Sequence, residues 1–414
     1  MIILQAISEK TTSIRCIMSA KKLSNAYLTL VGDKEVATRP SSVLMERLDA
    51  QKSTGEDEVD VILNGKHKHL FNNRISDSFV KSLCEAMLDS GVAIGILDLG
   101  CNLLTDQGAE TLANLLKTGA TPVRELYLNG NNIGPDGCKL ICEALASENG
   151  VKVESLSFNG NPIGEEGGMA VSRIVVDAAC KVRDLDVGNS EIGTQAVIAI
   201  AQTMWYNTTV LRLNMENPRL YDLQETTAFH IAKMIRINRT MQELYIGKHK
   251  IRDAGAQTIA QYLEDNASLR VLDIRANEIS IAGAEAFAIL LMKGGCILSS
   301  LNMSRNRIQD QGAQAIGVAL RSCRTLVDLD IRNNKIGDTG LIAIADAMAS
   351  NAAIQRLQVF GNNFDDQSAD AFRELASTRF EYFQVQCDVK PYVVDGKPLV
   401  AKNNLDIDMV VVDN

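Results

Sequence analysis

Apolar residues along most of this chain follow one pattern that is repeated again and again. Its most regular copy is Leu329-Asp330-Ile331-Arg332-Asn333-Asn334-Lys335-Ile336-Gly337-Asp338-Thr339-Gly340, and a run from Leu341 to Met348 follows it. The alternation apolar, polar, apolar predicts a short strand whose two large side chains share one face. Apolar spacing of three and four residues in the run predicts a helix with one buried stripe. Equivalent openings start at Leu97, Leu126, Leu156, Leu185, Leu211, Leu244, Leu272, Leu301 and Leu357, and with Leu329 in its place the steps are 29, 30, 29, 26, 33, 28, 29, 28 and 28 residues. Counting the less regular Val61-Ile62-Leu63, which is followed by an inserted loop from Lys66 to Asn73, the chain carries about eleven copies.

The residue choices follow from what one copy has to bury. A strand of three residues and one helix cannot cover each other's apolar faces, so stability requires stacking of neighbours. Asn at the end of each strand (Asn102, Asn131, Asn161, Asn277, Asn306, Asn334, Asn362) supplies both donors and acceptors to backbone groups that stacking removes from water. Ser190 and His249 take the Asn place in two copies, as hydrogen-bonding substitutes. The glycine a few residues later is expected to open the helix, and small Ala and Gly let the helix lie close to its neighbours, as in Gly312-Ala313-x-Ala315-Ile316.

A period of 28–29 with a full helix in each turn resembles the ribonuclease-inhibitor-like class of leucine-rich repeats. The resemblance implies an α/β horseshoe solenoid with a parallel concave sheet and outer helices. On that frame the organisation expected is an N-terminal cap region over 1–58, repeats over 59–378, and a C-terminal cap with a β-hairpin and tail over 379–414. In the first region Leu23, Tyr27, Leu28 and Leu30, then Val43, Leu44 and Leu48, fit short strands or helices, and Lys52 to Glu58 reads as an exposed loop. Asp395-Gly396 between Tyr392-Val393-Val394 and Pro398-Leu399-Val400 signals the hairpin turn.

Charge narrows the partners. A net charge of −9 excludes the basic footprint of a nucleic-acid binder and favours a basic protein partner through long-range attraction. Nine cysteines without paired spacing point to reduced thiols, with Cys142, Cys180 and Cys323 on apolar faces. No run approaches a membrane span, and Met1-Ile2-Ile3-Leu4 lacks the basic region of a secretory signal, so a location in cytoplasm or nucleus is expected.

Catalytic signatures are not found. The sequence holds no phosphate-binding G-x-x-x-x-G-K-[ST] loop and no H-E-x-x-H, and His67-x-His69 has no Cys or carboxylate partner at ligand spacing. No catalytic residue, cofactor or metal is therefore expected. The expected working surface is the concave wall, formed by the residues that alternate with the strand leucines. Tyr127, Asp186, Arg212, Tyr245, Asp273, Arg275, Asp330 and Arg332 are the candidate protein-binding residues, since Tyr and Arg anchor interfaces.

Three irregular stretches distinguish the chain within the class: Leu70-Phe71-Asn72-Asn73-Arg74-Ile75; Asn217-Pro218-Arg219-Leu220-Tyr221 with Gln224-Glu225, leading into Gly247-Lys248-His249-Lys250-Ile251; and Val389-Lys390-Pro391-Tyr392-Val393-Val394-Asp395-Gly396. What the resemblance then implies is a non-enzymatic interaction scaffold of nucleus, nucleolus and cytoplasm, linked to ribosome biogenesis or cell differentiation. A structural component of the ciliary axoneme is the alternative. A GTPase-activating protein of the nuclear-transport type is the enzyme-regulator alternative; such proteins end in a long acidic tail, whereas Leu405 to Asn414 holds three aspartates.

Overall fold

A computed structural model describes residues 19–31, 39–51, 58–147, 153–176, 181–221 and 224–404. The first four residues, Cys16, the run from Lys52 to Asp57, Cys180 and the tail 405–414 lie outside the described residues. The chain divides into two compact units, Met1–Asp222 and Leu223–Asn414, and the division falls inside the widened repeat.

In the first unit six strands lie parallel in chain order: β1 (Val59–Ile62), β2 (Ile94–Asp98), β3 (Val123–Tyr127), β4 (Ser155–Ser157), β5 (Asp184–Asp186) and β6 (Arg212–Asn214). Helices alternate with them: α1 (19–31), α2 (Arg39–Gln51), α3 (Asp77–Ser90), α4 (Asp106–Thr118), α5 (Pro135–Leu145), α6 (Gly164–Val176) and α7 (Thr194–Thr203). The second unit repeats the plan with α8 (Gln224–Ile237), β7 (Glu243–Tyr245), α9 (Arg252–Leu263), β8 (Val271–Asp273), α10 (Ile281–Met292), β9 (Ser300–Asn302), α11 (Gln309–Ser322), β10 (Asp328–Asp330), α12 (Asp338–Ser350), β11 (Arg356–Gln358), α13 (Asp366–Leu375) and β12 (Gln386–Cys387). Its strands are also parallel and in sequence order. The expected α/β leucine-rich-repeat solenoid is the fold found.

Leucine register builds the core. Leu126, Leu156, Leu185 and Leu213 pair across β3 to β6, and Leu244, Leu272, Leu301, Leu329 and Leu357 across β7 to β11. All are at most 1% exposed, and each contributes about 2 kcal/mol of apolar burial. Most strands begin one residue before the first leucine and end before the second apolar position. That second residue sits in the turn, yet its N–H still reaches the next coil, as Leu128 N does to Ser157 O at 3.0 Å.

The asparagines close each turn as expected. Asn306 Nδ2 donates to Ile274 O (3.1 Å) and Met303 O (2.8 Å), while its Oδ1 accepts from Asn277 N (2.8 Å) and Ile279 N (3.1 Å). Asn131 makes the same four bonds one unit earlier, to Leu99 O, Leu128 O, Asn102 N and Leu104 N. Ser190 Oγ donates to Phe158 O and Gly188 O, and at the buried His249 it is the backbone N–H that donates to Asn277 Oδ1 (2.8 Å). The residue just before the ladder position adopts left-handed backbone in repeat after repeat: Cys101, Asn189, Ala276, Arg305 and Asn333 have φ of 53–58°, and Gly130, Gly160 and Gly361 fill the same place.

The helix glycine does not open the helix; it lies in the first turn. Gly340 is the third residue of α12, and a Cβ there would meet Ile336 Cγ2 at 2.6 Å and Asp310 Cα at 2.9 Å. Close approach of helix and neighbour, more than backbone freedom, fixes the glycine.

At the N-terminal side, α1 and α2 are helices rather than strands. They bury Leu23, Tyr27, Val43, Leu44 and Leu48, and Tyr27 shares a 2.8 Å hydroxyl contact with Ser41. Asp60 N donates to Gln51 Oε1 (2.8 Å), tying α2 to β1. In the second unit β13 (Val389–Val394) and β14 (Lys397–Lys402) form the antiparallel hairpin, with Asp395 (φ 51°) and Gly396 (φ 79°) both left-handed as a two-residue I′ turn requires. Asn403 pins the hairpin base through Asp388 O (2.7 Å) and Cys387 O (3.0 Å).

Candidate functional site

Leucines and the helices occupy one side of each sheet, so the residues alternating with the leucines form an open face. In the first unit this face carries Asp98, Glu125, Tyr127, Asp184, Asp186 and Arg212. The Tyr127 hydroxyl donates to Glu125 Oε2 at 2.8 Å; burial and that carboxylate push the phenol up to about 12, so it remains a neutral donor. Asp186 accepts from Asn159 Nδ2 (3.0 and 3.1 Å) and from Gly188 N (2.9 Å). Burial raises its pKa against those bonds. Arg212 Nη1 lies 3.2 Å from Asp184 Oδ2. Tyr127, Asp186 and Arg212 thus stand on β3, β5 and β6 of one face.

The second unit concentrates more of the expected residues. Tyr245 donates to Glu243 Oε2 at 2.8 Å, the same Glu-x-Tyr arrangement as in the first unit. Tyr245, Asp273, Asn302, Asp328, Asp330, Arg332 and Gln358 line a shallow cavity of about 220 Å³. Asp273 and Asp330 do not offer their carboxylates to a partner, as the sequence reading expected; both are only 4% exposed. The reason is the Asp-x-Arg spacing, which puts an arginine two residues on along the same face. Arg275 Nη1 folds back to Asp273 Oδ2 (3.0 Å), which also accepts from Asn302 Nδ2 (2.9 Å). Arg332 clasps Asp330 with Nε and Nη2, at 3.0 and 2.6 Å, and that carboxylate raises the guanidinium's pKa further. Arg275 and Arg332 remain over a third exposed, so here the contact surface is guanidinium and tyrosine laid over carboxylate. Asp328 pairs with Arg356 at 3.3 Å, and Asp388 caps β11 by accepting from Val359 N (2.7 Å). Burial raises the pKa of both carboxyls.

These groups can hydrogen-bond, pair charges and stack. Among the described residues no three His, Cys, Asp or Glu come together as a metal site. No helix among them is long and apolar enough to cross a membrane. The buried Cys84 and Cys387 thiols are pushed up to about 12 by desolvation and are poor nucleophiles.

Two further ladders went unread in the sequence. Asn266 Oδ1 accepts from Ser268 N (2.9 Å) and Leu269 N (2.7 Å), while its Nδ2 reaches back to Asn238 O (3.2 Å). Asn207, Asn238 and Asn351 hold the same place, and their signal is an Asn three residues before the apolar residue that leads into each strand. Carboxylates in the first turn of one helix also cap the next: Asp106 accepts from Gly134 N and Gly137 N, and Asp310 from Gly337 N and Gly340 N.

Comparison with known proteins agrees with this architecture. A family model described as "Leucine Rich repeat" matches residues 96–113, 119–142, 151–172, 238–260, 265–288, 296–317 and 322–345. The chain is 25% identical to a mouse (Mus musculus) ribonuclease inhibitor over 262 residues, 63% of this chain and 56% of the inhibitor. It is 24% identical to a pig (Sus scrofa) ribonuclease inhibitor over 310 residues, 72% of this chain and 66% of that one. Mouse leucine-rich repeat-containing protein 34 is 35% identical over 98 residues, 24% of either chain. The matches therefore span less than two thirds of these relatives. The 28–29-residue period, the strand-and-helix register and these likenesses converge on a leucine-rich-repeat solenoid, similar to the ribonuclease inhibitors and, over a shorter stretch, to leucine-rich repeat-containing protein 34.

Proposed function

We propose that this protein is a non-catalytic protein-interaction scaffold whose open sheet faces receive a basic protein partner. The observation that carries the reading is the charge of those faces. In the first unit Asp98, Glu125, Asp184 and Asp186 stand against Arg124 and Arg212 among the strand residues of β2 to β6, a two-charge acidic excess. Tyr127 and Tyr245, each held by its glutamate, supply rigid aromatic contacts at little entropic cost. Arg275 and Arg332 give the second unit a mixed surface that selects against a uniformly basic ligand and in favour of one carrying its own carboxylates.

The mouse and pig relatives are by name ribonuclease inhibitors, and a ribonuclease is the first basic partner to try. We further propose a setting in nucleus, nucleolus and cytoplasm, with ribosome biogenesis as the process, which is what the sequence resemblance implies. Titrating the full chain with poly-lysine and with a ribonuclease, at several salt concentrations, tests the charge reading. Binding that weakens with salt and drops about tenfold in Glu125→Gln/Asp184→Asn/Asp186→Asn fits it. Affinity equal in variant and wild type defeats it.

A further inference from the structure

We infer that the C-terminal hairpin is a second interaction surface, for an acidic protein segment, separate from the sheet faces. The hairpin register sorts its residues onto two faces. One carries Val389, Pro391, Pro398 and Val400, which are buried or half-buried against the unit, with Val393 and Lys402 exposed beside them. The other carries the pairs Lys390 with Ala401, Tyr392 with Leu399, and Val394 with Lys397, and all six are exposed. Tyr392 is 42% exposed, Val394 47% and Leu399 39%, a contiguous apolar strip in cross-strand register.

Charge identifies the partner. Residues 389–402 hold three lysines and one aspartate, a net +2 in a chain of −9. No ion pair among the described residues involves Lys390, Lys397 or Lys402. The apolar strip is therefore flanked by lysines that complement carboxylates, and the fitting ligand carries apolar or aromatic side chains between acidic ones.

Prolines decide how it docks. The two-residue turn makes Val394 and Lys397 a hydrogen-bonded pair, so by alternation the pairs containing Pro391 and Pro398 are the non-hydrogen-bonded ones, whose backbone nitrogens point outward. Each edge of the hairpin thus lacks an outward donor, and addition of a further strand is blunted on both sides. The partner lies across the exposed face.

The test uses the full chain and a random glutamate–tyrosine copolymer, read by fluorescence anisotropy, with poly-glutamate, phosphatidylserine vesicles and a single-stranded oligonucleotide as comparisons. The copolymer is expected to bind, and Lys390→Gln/Lys397→Gln and Tyr392→Ser each weaken it about tenfold while leaving the unfolding midpoint unchanged. Undiminished copolymer binding in these variants overturns the inference. So does binding of vesicles or oligonucleotide without the copolymer, or hairpin-dependent self-association in place of it. Poly-lysine binding to the sheet faces is unaffected by the same variants, so failure here is distinguishable from failure of the sheet-face reading.

Discussion

Replacing Asn306 by alanine tests the physics of the stack at its most exposed assumption. The side chain serves four backbone groups of two successive coils: Ile274 O, Met303 O, Asn277 N and Ile279 N. Asn306 itself is 4% exposed, so water cannot replace it without opening the turn. A buried backbone group left unpaired costs about 1–3 kcal/mol, with carbonyls at the low end because they keep a second lone pair. Allowing for relaxation, Asn306→Ala is expected to cost roughly 3–5 kcal/mol. Asn302→Ala is the control. Its Nδ2 bonds Asp273, which Arg275 still holds, and its Oδ1 accepts from Ser304 N and Oγ, so one backbone group loses its partner instead of four and roughly 1–2 kcal/mol is expected. Urea unfolding followed by circular dichroism gives the difference, and amide exchange at Asn277 and Ile279 localises it. A loss under about 1 kcal/mol with protection of those amides unchanged would refute the ladder argument.

Other consequences are equally direct. Arg305 holds φ 58° where other copies carry glycine, so Arg305→Gly should stabilise by about 0.5–1 kcal/mol in a melt. Gly340→Ala should destabilise by about 1–2 kcal/mol despite better helix propensity, because its Cβ enters the space of Ile336 and the Asp310 backbone. Asp328 is pushed up from its ordinary 3.8 chiefly by burial, so its ionisation costs stability as pH rises through that raised value. Asp328→Asn should therefore melt higher than wild type at pH 7, and the gap should close below pH 3.8; a gap independent of pH contradicts the assignment. Pro391→Val/Pro398→Val should restore outward donors on the hairpin edges and raise self-association in sedimentation runs.

Much of the fold was legible because one spacing rule is obeyed again and again. Leu329 and its equivalents fall in register except at Leu211, where Leu213 takes the place and pairs with Leu185, and the helix after Leu329 spans Asp338–Ser350 around the apolar run Leu341 to Met348. Non-repeating parts were less legible. The apolar residues of 19–51 occur once each, so strand and helix stayed open until Tyr27 was seen packed against Ser41 and Phe79. Helix glycines were misplaced by two residues because their reason is contact with the preceding coil, which no local pattern reports. On the open face the alternation correctly named Asp273 and Asp330 as outward. It missed that Arg275 and Arg332 would fold over them, since charge partners at i and i+2 of a strand end were not weighed. The Asn207, Asn238, Asn266 and Asn351 series was present in the sequence, but its bonds join helix end to strand start, away from the repeat's most conspicuous signature.

Site-specific photo-crosslinking in cells tests the central claim most directly. Tyr245→p-benzoylphenylalanine places a reactive aromatic on the open face, and Tyr262→p-benzoylphenylalanine places the same group on α9. A sheet-face scaffold gives a discrete crosslinked protein partner from position 245, lost when Arg332 on the same face is replaced. Crosslinking from position 262 with none from 245 would place the binding surface on the helices and contradict the account.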